Sequence, residues 1–213
     1  MSLWSVLTTR VAGAAAAVLA PPRCAACDAA LPREVIFCPP CAETVTAPSP
    51  QRGGRSAAAY GGAIATSIVR FKFQGRTELA RPLSHLLMRA LAEERSSCDL
   101  VLAVPLHRRR LHERGYNQAA LLARPVAAYL ARPFEPLAIR RIRPTLAQAK
   151  LGAEDRIANV RGCFRVADPV LVRRRSVLLV DDVRTTGATL DGCRTALIEA
   201  GAREVRFLTL AQA

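Results

Sequence analysis

Two groups of residues in this chain are of types and spacings that could do chemistry. The first is Cys24, Cys27, Cys38 and Cys41, in the pattern "CAAC…CPPC". Two CxxC pairs separated by ten residues can aim four thiolates at one point, which is the ligand set of a tetrahedral zinc site. An all-thiolate site is closed to water, so such a metal would fold its segment and not catalyse. The second is "VLLVDDVRTTGATL", residues 177–190. An apolar run reaches Asp181 and Asp182, and the turn Thr185, Thr186, Gly187, Ala188 and Thr189 then enters a helical pattern. Amides at a helix start, threonine hydroxyls and a glycine that permits close approach form a phosphate cradle. Carboxylates do not hold phosphate; they accept hydrogen bonds from sugar hydroxyls or bind magnesium through water. Together they describe a site for a sugar 5-phosphate, read as ribose phosphate.

These groups need elements to position them. "SVLLVDD" (176–182) and "DLVLAVPL" (99–106) are continuous apolar runs of the kind found in strands buried on both faces, and "EVRFLTLAQ" (204–212) reads as the last strand. A short strand and turn are expected near Tyr60, a helix from Ala63 to Gly75, and a second amphipathic helix over 79–94. "HRRRLHERGYNQ" reads as a basic loop, followed by a helix over 119–131 with Pro125 as a kink. "FEPLAIRRI" (134–142) reads as a strand, and 143–164 as a polar connection long enough to be functional. Leu190, Cys193 and Leu197 give the following helix an inward face, and Gly201 stops it. Strands alternating with helices predict an α/β fold, a mostly parallel sheet with helices on both faces. Ligands of such sheets lie beyond the carboxyl ends of the strands, so the segments after Pro105 and Asp182 share one edge. The expected division is an N-terminal helix at 1–20, a zinc ribbon at 21–45, a Pro-, Gly- and Ser-rich linker at 46–56 and the α/β domain at 57–213.

The chain has 213 residues and a formal charge of +14, nearly all from arginine, since Lys72 and Lys150 are the only lysines. That charge favours polyanions such as nucleic acid or phosphorylated metabolites. Aromatic residues make up 5%, so platforms for stacking bases are sparse. The apolar run Val11 to Ala20 is too short for a membrane span. It could mimic a secretory signal, but Arg10 is the only basic residue near it, and a docked helix is the preferred reading. Cys98, Cys163 and Cys193 stand alone, as core thiols in a reducing, cytoplasmic compartment would. His85, His107 and His112 are not needed as zinc ligands beside four cysteines.

"VLLVDDVRTTGAT" resembles the phosphoribosyl pyrophosphate (PRPP) motif of type I phosphoribosyltransferases. With "FKFQGRTELA", "VPLHRRRLHERGYNQA", "RPTLAQAKLGAEDRIANVRGCF" and the cysteine knuckle in this order, the chain is similar to the ComF family. The resemblance implies a zinc ribbon followed by a phosphoribosyltransferase-type domain that uses PRPP and Mg²⁺. It implies that Asp181 and Asp182 act as catalytic residues holding the ribose hydroxyls, and that Thr185 to Thr189 bind the 5-phosphate. Arg108, Arg109 and Arg110 either meet pyrophosphate or form a solvated face; Gly115, Asn117 and Gln118 either serve the site or only shape a helix start. Thr145, Gln148, Lys150 and Arg156 are similar to the active-site loop of glutamine amidophosphoribosyltransferases and would close over the ligand. The chain lacks that enzyme's glutaminase domain, so amide-nitrogen transfer is not expected. Two functional readings follow: a phosphoribosyltransferase, or a non-catalytic module in DNA uptake that binds single-stranded DNA or senses nucleotides beside a competence helicase.

Overall fold

The computed structural model of the chain describes residues 22–32, 35–92, 98–143 and 162–213. The expected helix at 1–20 and the residues Thr145, Gln148, Lys150 and Arg156 lie outside the described residues.

Four strands form the main sheet: β1 (Gly54–Ala59), β2 (Leu100–Ala103), β5 (Ser176–Arg184) and β6 (Glu204–Gln212). Their order is β1-β6-β5-β2, and every pairing is parallel. The expected parallel sheet is therefore present. β5 and β6 are central, and Ser176 to Asp182 are all buried, as their apolar run requires. Two longer helices, α3 (Ala80–Ala92) and α5 (Gln118–Leu130), pack on each other and on the sheet. The helix α6 (Ala188–Glu199) packs against β6 and covers the other face. A short helix, α1 (Pro39–Ala42), sits in the cysteine knuckle; α2 (Gly62–Phe73) follows β1, and α4 (Arg108–Arg114) follows β2.

Four local readings need correction. The segment expected to be a basic loop is the helix α4: the His107 side chain accepts from the Arg109 amide at its start, and Gly115 closes it at φ 82°. Such a left-handed closing residue favours glycine. β1 begins at Gly54, inside the expected linker, because alanines and Ser56 suit an edge strand that packs flat on β6. "FEPLAIRRI" is not one strand. Phe134 makes a single bridge to Val101, and β3 (Ile139–Arg141) pairs antiparallel with β4 (Phe164–Val166), apart from the main sheet. β2 ends at Ala103, short of the expected residue 106; Val104 still donates to the Val180 carbonyl, and Pro105, which lacks an N–H, follows.

Register fixes what surrounds the carboxylates. Asp181 lies beside Thr209 of β6, and Thr209 lies beside Ser56 of β1. The hydroxyls of Ser56 and Thr209 satisfy one another at 2.6 Å in a buried position. Gly54 pairs with Phe207 at the entry to β1, where a Cβ would fall 2.1 Å from the Phe207 carbonyl oxygen. Only glycine fits that approach. Gly54→Ala is expected to cost roughly 1–3 kcal/mol through overpacking, read as a lower melting temperature. An unchanged melting temperature would mean that β1 does not lie this close to β6.

Candidate functional site

The cysteine knuckle is assembled by backbone. The Cys38 amide donates to the Cys24 sulfur at 3.4 Å, and Asp28 N–H closes the first turn on the Cys24 carbonyl. The four sulfurs all lie within 4.8 Å of one another, with Cys27 and Cys38 at 3.6 Å. A tetrahedron with metal–sulfur bonds of about 2.3 Å has sulfur–sulfur edges of about 3.8 Å, so the four residues fit zinc. Burial opposes ionisation of Cys24, but hydrogen bonds from the Cys27, Cys38 and Ala26 backbone outweigh it and lower the thiol to about 6. Burial and the neighbouring cysteines push Cys41 up to about 12. A divalent cation would remove this mutual repulsion by drawing all four into the thiolate form.

The knuckle grips α2 at both ends. Thr44 Oγ1 donates to the Cys41 carbonyl at 2.8 Å and accepts from the Ala63 amide at 2.9 Å, in the first turn of α2. Toward the other end, buried Arg70 donates to the carbonyls of Cys24, Ala25 and Ala26. It also pairs with Asp28 at 3.0 Å, and Arg76 pairs with the same carboxylate at 2.9 Å. Hydrogen bonds from Arg76 and Arg70 hold Asp28 well below the usual carboxylate range.

Two residues beyond Arg70, α2 presents Lys72. Its ammonium lies 2.8 Å from Asp182 Oδ1, and the Asp182 side chain is only 4% exposed. The second oxygen, Oδ2, is buried with no hydrogen-bond partner. A buried carboxylate oxygen left this way is costly, and it marks a place where a ligand can donate. Asp181 and Asp182 are successive residues of a strand that continues to Arg184, so their side chains project to opposite faces. Asp181 lies on the α6 side, where it raises the Cys193 thiol beyond what burial alone does. Its Oδ1 accepts from the Asp182 amide at 2.8 Å. Burial, then the charge of Asp182, pushes Asp181 up to about 8, so it is protonated at neutral pH. The two adjacent carboxylates thus sit in different surroundings, Asp181 neutral and Asp182 paired with Lys72.

The turn beyond them is built as its residues dictate. Gly187 takes φ 84° and caps α6, which starts at Ala188 and turns its first amides outward. A Cβ on Gly187 would meet Arg184 Nε at 3.1 Å. Thr185 and Thr186 are exposed, and Thr186 Oγ1 accepts from the Ala188 amide at 3.4 Å. Arg184 is steadied beside this turn by Gln51 Oε1 at 2.7 Å and by the Phe207 ring at 4.6 Å. Sequence reading missed Arg184, Gln51 and Lys72; each reaches the site by a contact between distant segments, although Lys72 stood out as one of two lysines.

The arginine run is divided. Arg109 pairs with Glu113 on the exposed surface at 2.9 Å, and Arg108 is exposed. Arg110 is half-buried and close enough to lower the pKa of half-buried Arg141, after desolvation itself. Asn117 caps α5 through the Ala119 amide and donates to the Val104 carbonyl, so it shapes the edge where β2 ends. Cys98, Cys163 and Cys193 are buried, as expected of core thiols. Among the described residues, no helix is long and apolar enough to cross a membrane.

A parallel α/β domain carrying a strand–carboxylate–turn–helix edge, joined to a four-cysteine knuckle, is the class that fold and site define. No protein-family model matches the chain. It is 32% identical over 203 residues to the DNA utilization protein YhgH of Escherichia coli O157:H7, covering 88% of each chain. It is 36% identical over 152 residues to competence protein F of Haemophilus influenzae, covering 68% of this chain and 66% of that one. It is 30% identical over 161 residues to competence protein ComFC of Bacillus subtilis, covering 75% and 64%. The chain belongs to the ComF family, with these proteins. Its distant structural neighbours include the allosteric regulatory enzyme of purine biosynthesis, at 19% identity and TM-score 0.45 over 66% of this chain and 29% of that one. Adenine phosphoribosyltransferase from Thermoanaerobacter pseudethanolicus is another, at 16% identity and TM-score 0.41 over 66% and 83%.

Two outcomes are expected. Asp181 is neutral in the fold at pH 7 but ionised in an unfolded chain, where its ordinary value is 3.8. Its contribution to stability is therefore full below about 3.8 and lost as pH rises to about 8. Asp181→Asn removes that loss, so the variant's melting temperature relative to the parent should climb between about pH 4 and about pH 8 and then level off. A constant difference would contradict a buried, neutral Asp181. Removing zinc with a chelator should raise hydrogen exchange along Gly62–Phe73 by roughly tenfold or more, as the knuckle's hold on α2 is released. Unchanged protection would show that α2 is held without the knuckle.

Proposed function

We propose that the chain binds PRPP, or a related ribose 5-phosphate ligand, with Mg²⁺ at the carboxyl edge of its sheet. The observation that carries this reading is buried Asp182, with Oδ1 on Lys72 and Oδ2 without a partner, one short turn before the start of α6. Asp182 would accept the ribose hydroxyls. Asp181, neutral, would limit the charge of the site. Thr185, Thr186, Gly187, Ala188 and Thr189, flanked by Arg184, would take the 5-phosphate through amides and hydroxyls. Arg110, of the three arginines, is the one whose position near Arg141 suits pyrophosphate. Mg²⁺, when bound, would neutralise charge on the diphosphate, and Thr145, Gln148, Lys150 and Arg156 would cover the ligand. Reaction would be substitution at the anomeric carbon with pyrophosphate leaving, a step carried by positioning and electrostatics. The zinc ribbon at 21–45 would serve the domain at 57–213 as a clamp on α2.

The relatives' names, a DNA utilization protein and competence proteins, support a part in DNA uptake. A charge of +14 favours the second reading, in which the same site works without catalysis beside single-stranded DNA and a competence helicase. Seven free cysteines suit a cytoplasmic protein.

Calorimetric titration of PRPP with Mg²⁺ into the zinc-loaded protein tests the first reading. Saturable binding is expected, weakened about tenfold to a hundredfold in Asp182→Asn, since a charged hydrogen-bond acceptor is lost from a buried site. No binding by the folded parent would remove the PRPP reading and leave the DNA-binding module.

A further inference from the structure

Phe73 ends α2 with its side chain in water: it is 70% exposed, while Phe71, two residues earlier, is fully buried. The Arg114 guanidinium lies over the Phe73 ring at 5.2 Å from its centre. Arg114 is itself fixed, because it donates to Gln118 Oε1 at 2.5 Å at the start of α5. Tyr116 holds the two segments together by donating its hydroxyl to the Phe71 carbonyl and setting its ring 6.0 Å from that of Phe71. The ring is thus presented, oriented and backed on one side by a cation, with its remaining surface open.

Its place gives this exposure a use. Lys72, the preceding residue, holds Asp182, and Asn117, beside Gln118, is bonded to the Val104 carbonyl just beyond the carboxyl end of β2. The ring therefore sits between the residue that holds Asp182 and the segment that leads from β2 into α5. Arg108 and Arg109 lie exposed on α4, the helix that ends with Arg114. A flat, weakly polar ligand group attached to phosphates matches an aromatic face, a guanidinium and surrounding positive charge.

We propose that Phe73, backed by Arg114, is a stacking platform for an unpaired purine or pyrimidine base beside the Lys72–Asp182 site. The base belongs to a free nucleotide or to a single strand; both offer the same face to the ring. This extends the ribose-phosphate reading, which gives the base's phosphate a neighbouring place, but the platform stands on its own contacts. It also revises the expectation from the low aromatic content: one placed ring suffices.

The test uses 2-aminopurine, whose fluorescence is quenched when it stacks. It is supplied to the zinc-loaded protein as the ribonucleoside monophosphate and, separately, within a short single-stranded oligodeoxythymidine. Saturable quenching is expected, weakened about tenfold or more in Phe73→Leu, the range of one base–aromatic stack. The ring's exposure means the variant should fold, and its melting temperature checks this. Quenching of the monophosphate alone assigns a free nucleotide, and quenching within the oligonucleotide extends the platform to single strands. Equal quenching by parent and Phe73→Leu, or no quenching of either probe, overturns the proposal. PRPP calorimetry on the same variant separates the two readings: it should be unchanged, and failure of PRPP to bind any form would sink the ribose-phosphate site while Phe73-dependent quenching kept the platform.

Discussion

The structure depends on placing two adjacent carboxylates in a strand buried on both faces. An interior of low dielectric does not tolerate two unpaired charges on neighbouring residues. One proton and one lysine resolve the conflict here. Asp181 stays neutral, and Asp182 is paired with Lys72 at 2.8 Å. The resolution is incomplete, because Asp182 Oδ2 has no partner. That remaining demand distinguishes the strand end from an ordinary core position.

The requirement propagates outward. Lys72 can serve Asp182 only if α2 is held, and α2 is held by the cysteine knuckle through Thr44, Arg70 and Asp28. Arginine suits this task, since one planar guanidinium reaches three backbone carbonyls and a carboxylate. A four-cysteine knuckle outside the sheet thereby gains a mechanical role in the α/β domain. The same helix end carries Phe73, so knuckle, charge pair and exposed ring form one connected unit.

Much of this was legible in the chain's local patterns. The run into Asp181 and Asp182, the turn through Gly187 and the CxxC pairs are contiguous segments whose chemistry follows from residue type and spacing. β6 reads with its observed bounds, because Phe207 to Ala211 form a buried, largely apolar run behind the partly exposed Glu204 and Arg206. What was not legible depends on partners far away in sequence. Lys72 and Asp182 are joined by tertiary packing that no local pattern announces. α4 reads as a loop because "RRRLHER" lacks an apolar face; its ends are set by His107 and Gly115 instead. β1 hid in a Gly- and Ser-rich stretch because its small residues serve close approach to Phe207, which composition alone reads as a linker. Strand alternation, which sends Asp181 and Asp182 to opposite faces, became visible only when β5 was seen to continue to Arg184.

The Lys72 ammonium and the Asp182 carboxylate form a largely buried pair, and in the proposed function a ribose-phosphate ligand engages it. With only Lys72 and Lys150 in the chain, ¹⁵N-lysine labelling gives two side-chain ammonium signals, and Lys150→Arg assigns them. A slowly exchanging Lys72 signal is expected in the free protein, shifting on addition of PRPP and Mg²⁺. A Lys72 signal that exchanges as fast as a solvated lysine, or that stays fixed while ligand saturates, would contradict it.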